Sequence, residues 1–139
     1  MGAAPPKGVP SGFSPHFRSS PLTTPWEPLY SRLHDDGVSL GLWVDLPHTN
    51  SRGFVHGGLL SALADNAMGL SCSLAIVHRP RMLTVSLSID FLAAAAIGEW
   101  LEIRPSVVRT GSTLCFTRAD IYANARQCAA SHATYRVVH

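Results

Sequence analysis

Hydrophobic and polar residues follow different patterns before, within and after one long apolar run. From Gly57 to Val77 most side chains are apolar or small, and the only charge is that of Asp65. This pattern predicts a helix, which the sequence His78-Arg79-Pro80 would end. The run is long enough to span a bilayer, but a central Asp would cost about 2.5–3.5 kcal/mol there. We therefore expect a helix buried inside a globular domain, with no membrane association.

Strand-like alternation flanks this run on both sides. Val38–Val44 precedes it, and Leu83–Phe91, Glu99–Val108, Ser112–Tyr122 and Cys128–Val138 follow it. Short turn sequences join the last four segments, which predicts an antiparallel meander of four strands. A helix that is apolar on nearly all sides must be covered, and a curved antiparallel sheet can wrap around it. The predicted fold class is therefore α+β, with one sheet around one central helix.

Prolines divide the chain into a tail and a domain. Seven of the ten prolines lie between Pro5 and Pro28, with glycine and serine among them. This composition predicts that residues 1–24 form a tail that is disordered or draped over a partner. Trp26 and Tyr30 would attach its end to a single domain over residues 25–139.

Composition limits the classes of partner. Charged residues make up only 14% of the chain, against a usual value of about 25%, which favours a homo-oligomer. A net charge of +2 without a basic run argues against nucleic acid. Cys72, Cys115 and Cys128 fit neither a disulfide framework nor a zinc site, so we expect a reducing, cytoplasmic location. His48 and His56 have no third ligand at suitable spacing, so no metal is expected.

Asp65 and the glycine pair at the start of the apolar run are the candidate chemistry. A lone carboxylate in apolar surroundings is costly unless it is paired or functional. The sequence His56-Gly57-Gly58 would open the helix, where free backbone N–H groups can receive an anionic ligand atom. Together they suggest a reaction centre.

A longer string of residues carries a resemblance to a known family. It comprises Asn50, Gly53, His56, Gly57 and Gly58, then Leu63–Gly69, Thr84–Val85, Asp90–Leu92 and Arg109–Gly111. With the order of the elements, this string resembles the PaaI-like acyl-CoA thioesterases of the hotdog fold, of the phenylacetate-degradation and acyl-CoA thioesterase 13 type. The likeness covers about residues 38–138. It implies a dimer of hotdogs, or a tetramer, that hydrolyses an aryl- or fatty-acyl-CoA without a cofactor at sites between subunits.

The same resemblance suggests a role for each catalytic candidate. The Gly57 N–H would hold the thioester oxygen as it becomes an oxyanion, and Asp65 would act as general base on water or as nucleophile. Asn50 would orient the water or the carbonyl, and His56 would shape the oxyanion side. Thr84 would steady the carboxylate or the water.

Four further residues are candidates for substrate binding: Gly58, Met68, Arg109 and Gly111. Every candidate also has a structural alternative. Asp65 could bond only to the backbone, the glycines could merely allow a tight turn, and Asn50 could cap its own loop. The hydroxyl of Thr84 and the charge of Arg109 could simply face solvent.

Helix geometry indicates that two chains are needed for one site. Eight residues separate Gly57 from Asp65, which is about 12 Å along a helix and roughly 80° around it. An oxyanion donor must lie about 2.7–3.1 Å from the oxygen, and the base must reach the same centre. Two helices side by side in a twofold dimer could place Gly57 opposite the partner's Asp65.

Two other functions remain open on the same fold. An enoyl-CoA hydratase or dehydratase would need a different motif, because Pro47 precedes Asn50 here where such enzymes have a later proline. A non-catalytic acyl-CoA-binding protein would not need Asp65.

Overall fold

The computed structural model of the protein describes residues 8–139. Within them lie seven strands and one α-helix. Their bounds are β1 Ser14–Pro15, β2 Tyr30–His34, β3 Gly37–Trp43, α1 Gly57–Leu74, β4 Arg81–Phe91, β5 Trp100–Thr110, β6 Leu114–Ala123 and β7 Arg126–Val138. This is a seven-stranded antiparallel sheet around one long helix, the hotdog fold that the sequence predicts.

The order of strands in the sheet is β1-β2-β3-β5-β6-β7-β4, with antiparallel neighbours throughout. The predicted meander of four is therefore wrong in one respect. β5, β6 and β7 do form a meander, but β4 pairs with β7 at the far edge of the sheet and not with β5. The connection after β4 returns across the start of α1, where Val55 N–H donates to Ala95 O at 2.9 Å.

The helix forms the centre of the hydrophobic core. Its side chains Leu63, Ala64, Ala67 and Met68 are completely buried beneath the curved sheet. Truncating a residue such as Leu63 to alanine would lower the free energy of unfolding by about 2–5 kcal/mol, because the surrounding core would fill the cavity only in part. The helix ends three residues before the predicted Val77. Among residues 8–139, α1 included, no helix combines the length and the hydropathy of a membrane span.

The N-terminal segment lies on the chain's own sheet at residues 13–16. β1 pairs with β2, and the ring of Phe13 meets Trp100 edge-on with 5.2 Å between centroids. His16 N–H donates to Leu29 O at 2.9 Å. Residues 1–7 of the predicted tail lie outside the described residues, and the boundary at residue 24 stays a prediction.

The two edges of the sheet differ. At one edge the two-residue strand β1, which belongs to the N-terminal segment, pairs with β2. At the other edge β4 pairs within the described residues on one side only, with β7. Leu83, Val85 and Phe91 of β4 are each more than half exposed. The β4 edge thus presents eleven residues of extended backbone, in which exposed apolar side chains alternate with polar ones.

Candidate active site

Asp65 lies near the middle of α1 and faces the β4–β7 end of the sheet. Its Oδ1 atom accepts hydrogen bonds from Thr84 Oγ1 and from the Tyr135 hydroxyl, both at 2.8 Å. The same tyrosine oxygen lies 2.9 Å from the main-chain oxygen of Asp65. The two hydroxyl groups therefore fix one carboxylate oxygen from two directions.

Strand register explains this convergence. Thr84 and Tyr135 are direct cross-strand partners in the β4–β7 pair, and an irregularity in β4 follows Thr84 before pairing resumes at Ser86. Gly69, one helical turn after Asp65, leaves room for the tyrosine ring. A Cβ atom at that position would lie 3.2 Å from Tyr135 Cε1, closer than ordinary van der Waals contact.

The second carboxylate oxygen, Oδ2, has no hydrogen-bond partner among residues 8–139, and no salt bridge there involves Asp65. The residue is partly exposed. A carboxylate with one oxygen fixed by neutral donors, one oxygen open and no salt-bridge partner among the described residues can accept a proton from water or attack a carbonyl carbon.

Tyr135 is the residue at this site that sequence reasoning missed. Its side chain is only 2% exposed. Burial, and then its bond to Asp65, raise the pKa of the Tyr135 hydroxyl well above its ordinary value, so the group remains a protonated donor at neutral pH. The sequence offered one indication of its role: Tyr135 carries a hydroxyl group and occupies a core-facing position of the last strand.

The start of α1 supplies a second feature. His56 caps the helix, because its Nδ1 atom accepts from the Gly58 N–H at 2.8 Å. The Gly57 N–H has no acceptor within the described part of the chain. It is therefore an unused donor at the positive end of the helix dipole. The ring of Phe91 lies beside it, 3.1 Å from where a Cβ of residue 57 would be.

Asn50 is held within its own loop. Its Oδ1 atom accepts from the N–H groups of Arg52 at 2.9 Å and Phe54 at 3.2 Å. This is the loop-capping geometry common for asparagine, and it orients the side chain without using its amide NH₂ group.

The structure brings together only some of the predicted site residues. Thr84 and Asp65 are in contact, whereas Gly57 and Asp65 lie eight residues apart on one helix, about 12 Å along its axis. Met68 is fully buried in the core. Arg109 and Gly111 lie at the β5–β6 connection, where Gly111 N–H donates to Leu114 O at 2.8 Å.

Comparison with known proteins identifies the family. The family model of the Thioesterase superfamily matches residues 52–130, more than half of the chain. The chain belongs to the thioesterase superfamily. A Pseudomonas aeruginosa protein, "Putative esterase PA0474", is 35% identical over 130 residues, which cover 93% of this chain and 97% of that protein. Human acyl-coenzyme A thioesterase 13 is 35% identical over 80 residues, covering 56% of this chain and 55% of its own.

A solved structure also supports the assignment of this chain to the thioesterases. A hypothetical thioesterase from Streptococcus pneumoniae, crystallised with coenzyme A, superposes with a TM-score of 0.73 at 26% identity. The match covers 81% of this chain and 90% of the streptococcal one. The PaaI-like hotdog family expected from the residues is thus confirmed, and the protein is a thioester hydrolase.

A cleft of about 370 Å³ in this thioesterase has Asp65, Thr84 and Tyr135 among its lining residues. The second half of α1 lines it as well, and the N-terminal segment provides part of its wall. Over residues 8–139 no group of three or more His, Cys, Asp or Glu side chains could hold a metal ion.

Proposed function

We propose that this thioesterase hydrolyses acyl-CoA, releasing a free acid and CoA, with Asp65 as the group that activates water or attacks the thioester. The observation that carries the proposal is the open Oδ2 atom of a carboxylate whose Oδ1 is fixed by Thr84 and Tyr135. Two relatives support the choice of substrate. One is named as an acyl-coenzyme A thioesterase, and the other was crystallised with coenzyme A.

The reaction has two routes with the same products. In the first, Asp65 removes a proton from water as the water oxygen bonds to the thioester carbon. In the second, Asp65 itself forms an acyl-aspartyl anhydride, which water then cleaves. In both, negative charge develops on the thioester oxygen before the carbon–sulfur bond breaks and CoA leaves as thiolate. The Gly57 N–H would stabilise that charge.

The two groups would come from different subunits of a homodimer. Within one chain the helix separates Gly57 from Asp65 by about 12 Å, too far for both to act on one carbonyl. A twofold pairing of neighbouring α1 helices would place each Gly57 opposite the partner's carboxylate and create two sites per dimer.

The exposed edge of the sheet supports this assembly. β4 carries Thr84 of the site, and its Leu83 and Val85 are 58% and 60% exposed. A long apolar edge strand is an aggregation hazard unless another chain covers it. Antiparallel pairing of two β4 strands would extend the sheet and bring the two sites together.

The remaining candidates would assist these groups. His56, by capping the helix, would fix the direction of the Gly57 N–H. Asn50 would use its amide NH₂ to orient the water or the carbonyl oxygen. Gly58, Arg109 and Gly111 would contact the CoA portion.

Met68, at the core, would form the base of an acyl pocket. Three free, buried cysteines fit a reducing location, which we propose to be the cytoplasm.

Activity is tested by incubating the protein with a panel of aryl- and fatty-acyl-CoAs and a thiol reagent. We expect release of free CoA thiol in step with the free acid. Hydration of an enoyl-CoA without thiol release would indicate a hydratase instead, and binding without turnover would indicate an acyl-CoA-binding protein. Either outcome would contradict the proposal.

Subunit sharing is tested with Gly57→Pro. Proline is well suited to the first position of a helix, and His56 already has the extended backbone that precedes proline, so the change removes the N–H with little cost to the helix. Gly57→Ala is the control that keeps the N–H. We expect Gly57→Pro to lower kcat by roughly 10²–10³ and Gly57→Ala to lower it far less.

Mixing inactive Gly57→Pro with inactive Asp65→Asn then locates the site. After subunit exchange about half of the dimers are mixed, and each contains one intact site if that site uses one residue from each chain. Activity should recover to about a quarter of the wild-type value. No recovery after verified exchange would place both groups in one chain.

A further inference from the structure

The cleft that contains Asp65 also has a cationic lining. Arg18, Arg79 and Arg81 all border it. None of the three forms a salt bridge within residues 8–139, where the salt bridges use three other arginines. Apart from Asp65, no acidic residue in the described part of the chain lines the cleft. No described carboxylate forms a salt bridge with any of the three arginines.

The N-terminal wall of this cleft is well supported. Ser20 O accepts from Thr23 N–H at 3.1 Å and from Thr24 Oγ1 at 2.7 Å, and Thr23 is only 3% exposed. Burial, and then the charge of Arg18, lower the pKa of His16, so His16 is neutral at pH 7 and the positive charge of this wall is that of the arginine.

The opposite wall is the connection between α1 and β4. Ser73 Oγ donates to Pro80 O at 2.7 Å, and the Arg79 guanidinium donates to Leu74 O at the end of the helix. These bonds hold the backbone on either side of the two arginines. The cationic lining thus comes from two hydrogen-bonded segments facing one cleft.

We propose that this cleft selects acyl groups that carry a second carboxylate, which the arginines bind while Asp65 acts on the thioester at the other end. The inference rests on the proposed thioesterase function and adds the class of acyl group. Arginine suits this role because its guanidinium binds carboxylates through paired, charge-assisted hydrogen bonds.

Length favours an acyl carboxylate over the phosphates of CoA. Arg81 lies three residues before Thr84 on β4, which is roughly 10 Å at the rise of a strand. The carboxyl carbons of a six-carbon diacid are five bonds apart, roughly 6 Å when extended, and a hydrogen bond adds about 3 Å. The first phosphate of CoA is thirteen bonds from the sulfur, roughly 16 Å when extended.

The N-terminal wall is not part of the matched family core. The family match begins at residue 52, whereas Arg18 and its supporting turn precede it. Arg79 and Arg81 lie inside the match, so the cleft is lined both by the family core and by the segment that precedes it.

The experiment compares adipoyl-CoA with hexanoyl-CoA, which differ only by the terminal carboxylate. We expect kcat/KM for adipoyl-CoA to be at least tenfold higher. Arg18→Gln and Arg81→Gln should each reduce this ratio several-fold by raising KM for adipoyl-CoA, with hexanoyl-CoA little changed. Arg118→Gln, at an exposed position of β6 away from the cleft, is the matched control and should preserve the ratio.

The same measurements with pantetheine thioesters, which lack the nucleotide and its phosphates, show whether the arginines bind the acyl carboxylate or a CoA phosphate. Persistence of the arginine effect on the adipoyl thioester would support the inference. If Arg18→Gln and Arg81→Gln raise KM equally for both CoA thioesters and do not raise it for the pantetheine thioesters, the arginines bind phosphate. That result would overturn the inference.

A wild-type preference for hexanoyl-CoA would overturn the inference while leaving the thioesterase function intact. Failure to hydrolyse these thioesters, with the aryl- and fatty-acyl-CoA panel hydrolysed, would also overturn the inference alone. Failure on the panel as well would contradict the proposed function itself, and the inference with it.

Discussion

Glu102 and Asp65 are both acidic residues held by hydrogen bonds, but they differ in the charge of their partners. Glu102, on β5, is 5% exposed and uses both carboxylate oxygens. Oε1 accepts from Trp100 Nε1 at 2.9 Å, and Oε2 accepts from Arg104 Nε at 2.6 Å. Arg32 lies 3.6 Å from Oε2 as well.

Asp65 has neutral partners and uses only Oδ1. Thr84 and Tyr135 hold that oxygen, and no side chain in residues 8–139 forms a salt bridge with it. The difference separates a structural carboxylate from a reactive one. An arginine beside the base would stabilise its ionised form and occupy the oxygen that must meet the substrate. Hydroxyl groups orient the carboxylate while leaving it basic and accessible.

The largest effect should come from Asp65→Asn. The amide has nearly the same shape, but it cannot accept a proton from water or form the anhydride. We expect kcat to fall by on the order of 10² or more, with the melting temperature nearly unchanged. Thiol release at saturating substrate measures kcat. If the variant keeps the wild-type turnover, Asp65 is not the catalytic group.

Glu102→Gln should show the opposite pattern. It removes a buried charge from an indole and two guanidinium groups, so we expect a loss of about 2 kcal/mol in the free energy of unfolding. Because Glu102 lies away from the cleft, kcat should stay within about threefold of the wild-type value. Urea unfolding together with thiol release tests both halves. A large loss of activity in well-folded protein would contradict the separation of the two carboxylates.

The two hydroxyl donors should matter less than the carboxylate that they hold. Thr84→Val and Tyr135→Phe each remove one hydrogen bond to Oδ1, which is worth about 1 kcal/mol. If that bond is needed to orient Asp65, kcat should fall roughly fivefold in each variant. Tyr30→Phe, a buried tyrosine on β2, is the control. Normal kcat in both test variants would mean that the hydroxyls support only the fold.

The smallest effect concerns alkaline pH. Because burial raises the pKa of Tyr135 above its ordinary value of 10.0, the phenol ionises in the unfolded chain before it can do so in the folded one. Its contribution to stability is therefore complete below pH 10 and declines at higher pH. Between pH 10 and 11 the wild type should lose about 1 kcal/mol more unfolding free energy than Tyr135→Phe. Equal losses in parallel urea titrations would contradict the shift.

Much of the fold could be predicted because its elements are periodic. The apolar run from Gly57 and the alternating strands after it have local patterns that sequence alone displays. β2 was missed because Tyr30–His34 is short and lacks clear alternation. The position of β4 beside β7 could not be deduced, since alternation shows which residues form a strand but not which strand is its neighbour.

The candidate site shows the same limit. Asp65 stands out because it is the only charge in its run, and the Gly57 N–H follows from the helix start. Thr84 came from the resemblance, and its hydroxyl lies 2.8 Å from Asp65 Oδ1, whereas its role in catalysis stays a prediction. Tyr135 lies seventy residues from Asp65 and reaches it only because β7 pairs with β4. Its participation depends on register, which the local sequence does not specify.

The indole that holds Glu102 also restricts a position on the neighbouring strand. A Cβ at Gly41 would lie 2.1 Å from the ring of Trp100, so no other amino acid fits beneath that ring. In a library randomised at residues 41 and 100, folded clones with a larger residue at 41 should carry a smaller one at 100. Positions 41 and 100 would then covary in an alignment. That covariation would reflect the packing of Trp100, the residue that holds the structural carboxylate in place.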